Sequence, residues 1–400
     1  MTVDQVVFLV GGTGSRLGSL TAETPKPVLP VGGRPFLDYL LDEASRYGFS
    51  RCLLLCGYRA QSIEQAYRGR TVRGMRVETA IEAEPAGTAG ALARAADRLD
   101  ELFFLVNGDS LFDCNWLALS PGARDRRAWT ARMTLAGGIA GSRYGRVEID
   151  GDAVRAFTPA GESTLPINAG IYLMRKSVLA AIGPGFVSLE QEVLPVLAKQ
   201  GLLQGRVTQG PFIDIGLPEE FARAQTLVPE IVRRPAIFFD RDGVLNHDTG
   251  YVHRSEEFQW VDGAREAVRW TNDLGYYSFV VTNQAGVAHG YYDEAAIRQL
   301  HGWMQAELHA EGAHIDAYEY CPFHPNGVVA PYCQDSDLRK PGPGMLKKLM
   351  ADWPVDVERS LMIGDRDSDI QAASAAGIAG HKFEGGNVFD FLKQRMRPRA

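Results

Sequence analysis

Asp240 and Asp242 stand two residues apart, behind the apolar run AIFF and ahead of Gly243. One carboxylate of such a pair can attack phosphorus and carry it as an aspartyl phosphate while the other moves protons. An acidic surface turn is the plain alternative, and it fits poorly after so apolar a strand. Far upstream, GGTGSRLGSLTAETPKP (11–27) brings together Gly11, Gly12, Thr13 and Gly14. A Gly-rich backbone can approach phosphates closely with its N–H groups free. Arg16 offers a fork suited to phosphate oxygens, and Lys26 is a cation on a segment stiffened by Pro25 and Pro27. A solvated lysine is the ordinary reading of Lys26, and the two prolines argue against it. The upstream group is expected to grip a nucleoside triphosphate, the downstream pair to break a phosphate ester.

Groups like these need rigid edges to hold them. The first part of the chain alternates apolar strands (VVFLV, RCLLLCG, LFFLVNGD) with helical stretches, one of them an Ala-rich helix expected from near Gly87. That alternation indicates βα units and a mainly parallel sheet. The stretch 133–150 turns strand-rich and is expected to form a lid over the sheet's carboxyl edge. PEEFARAQTLVPEIV closes this part, and RRPAIFFDRDGV opens a new strand after Pro235. Two α/β domains are therefore expected, 1–232 and 233–400. In the second, AIFF, SFVVTNQ and SLMIGDRDSD each end in an acidic or polar residue. Ligands of open α/β sheets sit at the carboxyl ends of strands, so Asp240, Thr282 and Asp365 should meet on one rim.

With 400 residues the chain exceeds what one core usually organises. Its net charge of −7 comes without a Lys/Arg block, which argues against nucleic acid or an anionic membrane as partner. The five cysteines, Cys52, Cys56, Cys114, Cys321 and Cys333, have no disulfide-framework spacing. With no basic leader and no membrane-length apolar run, the expected location is the cytoplasm.

The Gly-rich loop, Arg16 and PKP together resemble the sugar-1-phosphate nucleotidyltransferases, a family with a Rossmann-like mixed sheet. EAEPAGTAGAL (82–92), NGDSLF (107–112), NAGIYLM (168–174) and FIDIG (212–216) extend the resemblance to about residue 230. It implies Mg²⁺ on Asp109 and Asp214, and nucleotide contacts at Glu82, Gly87, Thr88 and Asp109. It implies sugar contacts at Tyr144, Gly145, Asn168 and Glu190. Glu82 favours GTP, because a carboxylate can accept from both N1–H and the exocyclic amine of guanine. The family's Glu-Lys pair before NAGIY is missing here, and Arg143 or Arg146 is the expected substitute for its lysine.

DRDGV resembles the first motif of the haloacid dehalogenase superfamily. That implies Asp240 as nucleophile, Asp242 as acid and base, Thr282 and Lys340 on the phosphoryl group, and Mg²⁺ on Asp240, Asp365 and a backbone carbonyl of Asp242. Asp369 is expected to support that site from behind. No large cap fits between the motifs. DRDGVLNHDTGYVH, TNQAGVAHG and LRKPGPGM look like the heptose 1,7-bisphosphate phosphatases and the related histidinol phosphatases. On that likeness Asp248, Gly250, Tyr251, Asn283, Gln284 and Arg339 contact the sugar or its second phosphate. The family's structural zinc is not expected: Cys321, His324 and Cys333 are irregularly spaced, and Phe323, Ser336 and Leu338 occupy the other ligand positions.

Together the resemblances imply consecutive steps toward a GDP-heptose for surface polysaccharide or glycoprotein assembly. A hexose such as mannose 1-phosphate beside an unrelated phosphatase, or one inactive regulatory domain, are the alternatives. Oligomeric state is not written in these motifs.

Overall fold

The computed structural model describes residues 3–123, 129–140, 143–161 and 163–396. The chain divides into two compact units, Met1–Ile231 and Val232–Ala400. The helix Pro218–Val232 runs up to the division, and the strand Ala236–Phe239 opens the second unit.

The N-terminal unit is built on a ten-stranded mixed sheet. Four parallel neighbours form its heart: Leu102–Asn107, Gln5–Leu9, Arg51–Cys56 and Met75–Ile81, in that order. Such strands read as near-continuous apolar runs because both faces are covered. Val7, Leu53, Leu55, Phe103 and Leu105 lie in one core with Ala89, Leu92, Leu194 and Leu197. The helix beginning at Gly87 is short, Gly87–Arg94. Ile167–Arg175 runs antiparallel between Leu102–Asn107 and Ala131–Ala136.

The expected lid is not a lid. Ala131–Ala136 and Arg146–Asp150 are strands of the same sheet, and residues 141–142 of that stretch lie outside the described residues. The reason is apolar matching: Ala131, Met133, Leu135 and Val147 are buried in the unit's main core. Stacking over polar loops would have left those side chains in water.

The C-terminal unit holds a five-stranded parallel sheet ordered Ala317–Cys321, Tyr277–Asn283, Ala236–Phe239, Leu361–Gly364, Ala379–Lys382. Alternate residues feed two cores. Ala236, Phe238, Phe279 and Val281 pack with Met345, Leu346 and Leu349, whereas Ile237, Phe239 and Val280 pack with Ala264, Val268, Leu300 and Met304. The chain leaves the central strand Ala236–Phe239 toward one edge and later returns on its other side. Asp240 therefore sits where strand order reverses, the usual ligand crevice of such sheets. One α-helix each, Ala264–Asp273 and Glu294–Ala310, separates Asp240 from Thr282 and Thr282 from Lys340. Among the described residues no helix is long and apolar enough to cross a membrane, and all five cysteines are free.

Candidate active sites

In the N-terminal unit a cavity of about 660 Å³ opens at the carboxyl edge of the parallel strands. Gly11, Gly12, Thr13, Lys26, Glu82, Gly87, Thr88, Asp109 and Glu190 line it. Lys26 is only 6% exposed, and Gly14 abuts its aliphatic stem. Its ammonium lies 2.5 Å from Asp109 Oδ2 and 3.8 Å from Asp214 Oδ1. Arg16 joins the same corner. A Cβ on Gly216 would stand 2.9 Å from Asp214 Oδ1, 3.1 Å from Lys26 Nζ and 3.3 Å from Arg16 Nη2. Burial, then the Asp109 charge, hold the Asp214 carboxyl above its ordinary range, with Lys26 opposing. Two carboxylates offering oxygen alone, beside space for phosphates, fit Mg²⁺.

Glu82 faces the same cavity, its carboxyl pushed up by burial while the Ala86 N–H works against that shift. Thr88 Oγ1 donates to Glu190 Oε2 (2.9 Å) and accepts from the Leu189 N–H (2.8 Å), so the two expected contacts form one unit.

Three residues expected at the sugar stand outside this lining. Tyr144 packs edge-on against Phe212, with Arg143 over its ring at 4.4 Å and Arg143 paired to Glu220 at 3.2 Å. Gly145 abuts the Thr158 carbonyl. Asn168 accepts from the Gly170 N–H (3.0 Å) and donates to Tyr172 Oη (2.6 Å), which engages it as a brace within its own strand. Two amides do line the cavity, Asn107 and Gln191; Asn107 stands in NGDSLF, where the resemblance assigned a role only to Asp109. Arg146 cannot replace the missing lysine. It is 2% exposed and donates to the carbonyls of Ile139 and Leu165. Arg143, half-exposed, lies beside Tyr144, whose hydroxyl is pushed up first by burial and then by the Asp214 charge.

In the C-terminal unit a cavity of about 550 Å³ is lined by Asp240, Asp242, Asp248, Gly250, Tyr251, Thr282, Asn283, Gln284, Arg339 and Lys340. Lys340 is buried, and its ammonium lies 2.8 Å from Asp240 Oδ1 and 2.7 Å from Asp369 Oδ1 and donates to the Val281 carbonyl at 2.9 Å. The buried ammonium is thus paired with two carboxylates and one carbonyl. Asp240, Asp365 and Asp369 bring oxygens within 4.8 Å of one another. Asp365 Oδ1 is buried without a hydrogen bond. Burial raises the Asp240 carboxyl most, with Lys340 opposing and Asp369 adding to the rise. Asp365 is likewise raised, by burial and then by Asp369. Three carboxylates against one lysine leave a negative excess, and an all-oxygen donor set of this kind fits Mg²⁺. Asp369, expected behind the site, brings an oxygen into this cluster; it lies in the helix Asp367–Ala376 and caps that helix's own N-terminus by accepting from the Arg366 N–H.

Asp242 is held by its neighbours. Arg241, fully buried, places Nη2 2.9 Å from both of its oxygens, and Asn246 and Gln284 each donate at 3.0 Å. Gln284 also donates to Thr282 Oγ1 and accepts from Tyr292 Oη, both at 2.8 Å. Asn283 exchanges two 3.0 Å bonds with the backbone of Lys340. The amides expected on the sugar are therefore engaged in positioning Asp242, Thr282 and Lys340. Missed by the motifs were Arg366, 2.7 Å from Asp248, and the ring pair His289 and His324, all on the cavity wall. Tyr251 is exposed at φ 55, edge-on to Tyr291. Of the residues weighed for zinc, Cys321 is buried and Cys333 exposed with its Sγ on the Pro325 carbonyl.

Gly243 has φ +87, and a Cβ there would come within 2.3 Å of Asp365 Oδ2. Gly243→Ala is expected to displace Asp365 and lower phosphate release by roughly 10²-fold, the scale of a misplaced catalytic geometry. Steady-state phosphate assays check this; native turnover would show that the placement of Asp365 is unimportant.

Residues 5–230 match the nucleotidyl transferase family, and residues 337–386 match the HAD-hydrolase-like family. The D-glycero-beta-D-manno-heptose-1,7-bisphosphate 7-phosphatase of Rhodopseudomonas palustris is 49% identical over 162 residues, which are 40% of this chain and 90% of that protein. The D-glycero-alpha-D-manno-heptose-1,7-bisphosphate 7-phosphatase of Burkholderia mallei is 45% identical over 147 residues, 37% of this chain and 78% of its own length. Among solved structures, HddC from Yersinia pseudotuberculosis complexed with GMP-PN superposes with a TM-score of 0.50 at 29% identity, over 56% of this chain and 98% of that one. The chain therefore belongs to the nucleotidyl transferase family through its N-terminal unit, joined to a HAD-type unit of the heptose-bisphosphate 7-phosphatase family, and is an enzyme with both activities.

Proposed function

We propose that the C-terminal unit removes the 7-phosphate of D-glycero-D-manno-heptose 1,7-bisphosphate and that the N-terminal unit joins the resulting heptose 1-phosphate to GMP from GTP. The reading is carried by one observation: a unit 49% identical to a heptose-bisphosphate phosphatase shares its chain with a nucleotidyl-transfer cavity. The product of the first would be a sugar 1-phosphate, the substrate class of the second.

In the phosphatase, Asp240 attacks phosphorus and the bond to the sugar C7 oxygen breaks. Asp242 gives its proton to that oxygen, then takes one from the water that attacks the aspartyl phosphate. Thr282 and Lys340 hold the phosphoryl oxygens, and Arg339 with Tyr251 meets the rest of the sugar phosphate. In the transferase, a phosphate oxygen of heptose 1-phosphate attacks the α-phosphorus of GTP and pyrophosphate leaves. The Gly11–Gly14 backbone, Arg16 and Lys26 hold the triphosphate in line. Mg²⁺, held by Asp109 and Asp214 in one unit and by Asp240, Asp365, Asp369 and the Asp242 carbonyl in the other, would neutralise phosphate charge. The setting is the cytoplasm, and the end product a precursor for lipopolysaccharide-type surface sugars.

Incubation with heptose 1,7-bisphosphate, GTP and Mg²⁺, read by mass spectrometry, tests the whole sequence. Phosphate release without a nucleotide-sugar would overturn the coupling of the two steps. Glu82 supports the choice of GTP through its two acceptor oxygens. Glu82→Gln is expected to lower kcat/KM for GTP by roughly 10- to 100-fold, the scale of one lost charged hydrogen-bond pair. Discrimination against ATP should narrow at the same time, measured with the two nucleotides side by side.

A further inference from the structure

Asn107 ends the strand Leu102–Asn107 on the wall of the transferase cavity. Its Oδ1 is buried and receives no hydrogen bond. A buried acceptor without a donor is unfavourable, and native folds rarely retain one without cause.

The surrounding backbone is shaped around this amide. Gly170 lies opposite at φ +74, and a Cβ there would stand 2.7 Å from Asn107 Nδ2 and 2.8 Å from Cγ. The strand Ile167–Arg175 shifts register against Ala131–Ala136 between Asn168 and Tyr172. Asn168 secures the bulge by accepting from the Gly170 N–H. The space is therefore kept for a side chain whose acceptor is unfilled.

The bound partner must bring a donor. A triphosphate offers none. Guanine is expected at Glu82, whose strand is three places along the sheet, roughly 14 Å away at ordinary strand spacing. Asn107 instead stands two residues before Asp109, which the proposed reading puts at the reacting phosphates, and both line the same cavity. We infer that Asn107 is a specificity residue of the transferase, its Oδ1 accepting a hydrogen bond from a hydroxyl of the sugar 1-phosphate. The inference rests on the nucleotidyl-transfer reading above.

The test uses the full chain, Asn107→Leu, and Asn107→Ala should the leucine form not fold. Phosphate release by the other unit monitors protein quality, and the acceptor is heptose 1-phosphate or mannose 1-phosphate, whichever the native chain converts faster. The KM for the sugar phosphate should rise roughly 5- to 100-fold, the loss of one satisfied buried hydrogen bond, with the KM for GTP unchanged. Among singly deoxygenated mannose 1-phosphates, one should no longer distinguish native from variant. A native KM for the sugar overturns the inference. A rise in the KM for GTP alone also overturns it, assigning the amide to the ribose. A native chain that transfers to no sugar phosphate overturns this inference and the proposed transferase together.

Discussion

Asp240→Asn is expected to abolish phosphate release, by roughly 10⁴-fold or more as for other removed nucleophiles. Guanylyl transfer to supplied heptose 1-phosphate should persist. The carboxamide is nearly the same size, so Lys340 keeps its 2.7 Å pairing to Asp369 and its bond to Val281. What is lost is the carboxylate oxygen 2.8 Å from the Lys340 ammonium, the atom proposed to attack phosphorus. One carboxylate fewer also relieves the crowding of Asp240, Asp365 and Asp369, so the variant should fold. Separate assays of phosphate and of nucleotide-sugar give the answer. Retained phosphatase turnover would eliminate Asp240 as the nucleophile, and simultaneous loss of transfer would show that the two activities cannot be separated in this way.

Lys26→Met should act in the opposite unit. Transfer should fall roughly 10²- to 10⁴-fold, because a preorganised cation facing the reacting phosphates is removed from a partly dry site. The near-isosteric methionine keeps the packing of a residue only 6% exposed. It also leaves Asp109 and Asp214 facing each other without the ammonium between them. Phosphatase turnover should be native. The decisive measurement is kcat for transfer at saturating GTP: a defect confined to the KM for GTP would demote Lys26 from the reacting phosphates to ordinary binding. Asp109→Ala, assayed alongside, should show the same separation of activities, since it removes an expected metal ligand.

How much of this was legible differs between the two sites. In the phosphatase, Asp240, Asp242, Thr282, Lys340 and Asp365 could all be read from strand ends and motifs, and the structure brings them together. For the carboxylates and Thr282 strand-to-site geometry is local, each standing at or just past the carboxyl end of a buried strand, whereas Lys340 comes from a loop ahead of the helix Gly344–Asp352. The roles of Asn283 and Gln284 were not legible. An amide looks equally suited to a sugar or to a neighbour, and only packing shows that Lys340 and Asp242 already occupy them. Asp369 was expected behind the carboxylate cluster, because sequence does not show the direction in which its oxygens point.

In the transferase, the Gly-rich loop, Lys26, Glu82 and Asp109 were legible, and the structure places them around one cavity with Asp214 beside Lys26. The surroundings of the residues expected at the sugar were not legible. Asn168 braces a bulge, Arg146 donates to two carbonyls, and the supposed lid is part of the sheet. Each outcome depends on pairing between strands distant in the chain, such as Ile167–Arg175 with Leu102–Asn107. The amino-acid sequence by itself determined the two chemistries, the α/β class and the residues expected to meet phosphate, because Gly-rich loops and acidic strand ends are local patterns with fixed consequences. Only the tertiary structure decided which polar side chains are left for substrate. That depends on which hydrogen bonds long-range packing has already satisfied, and in this fold packing leaves Asn107 Oδ1 open at the transferase cavity.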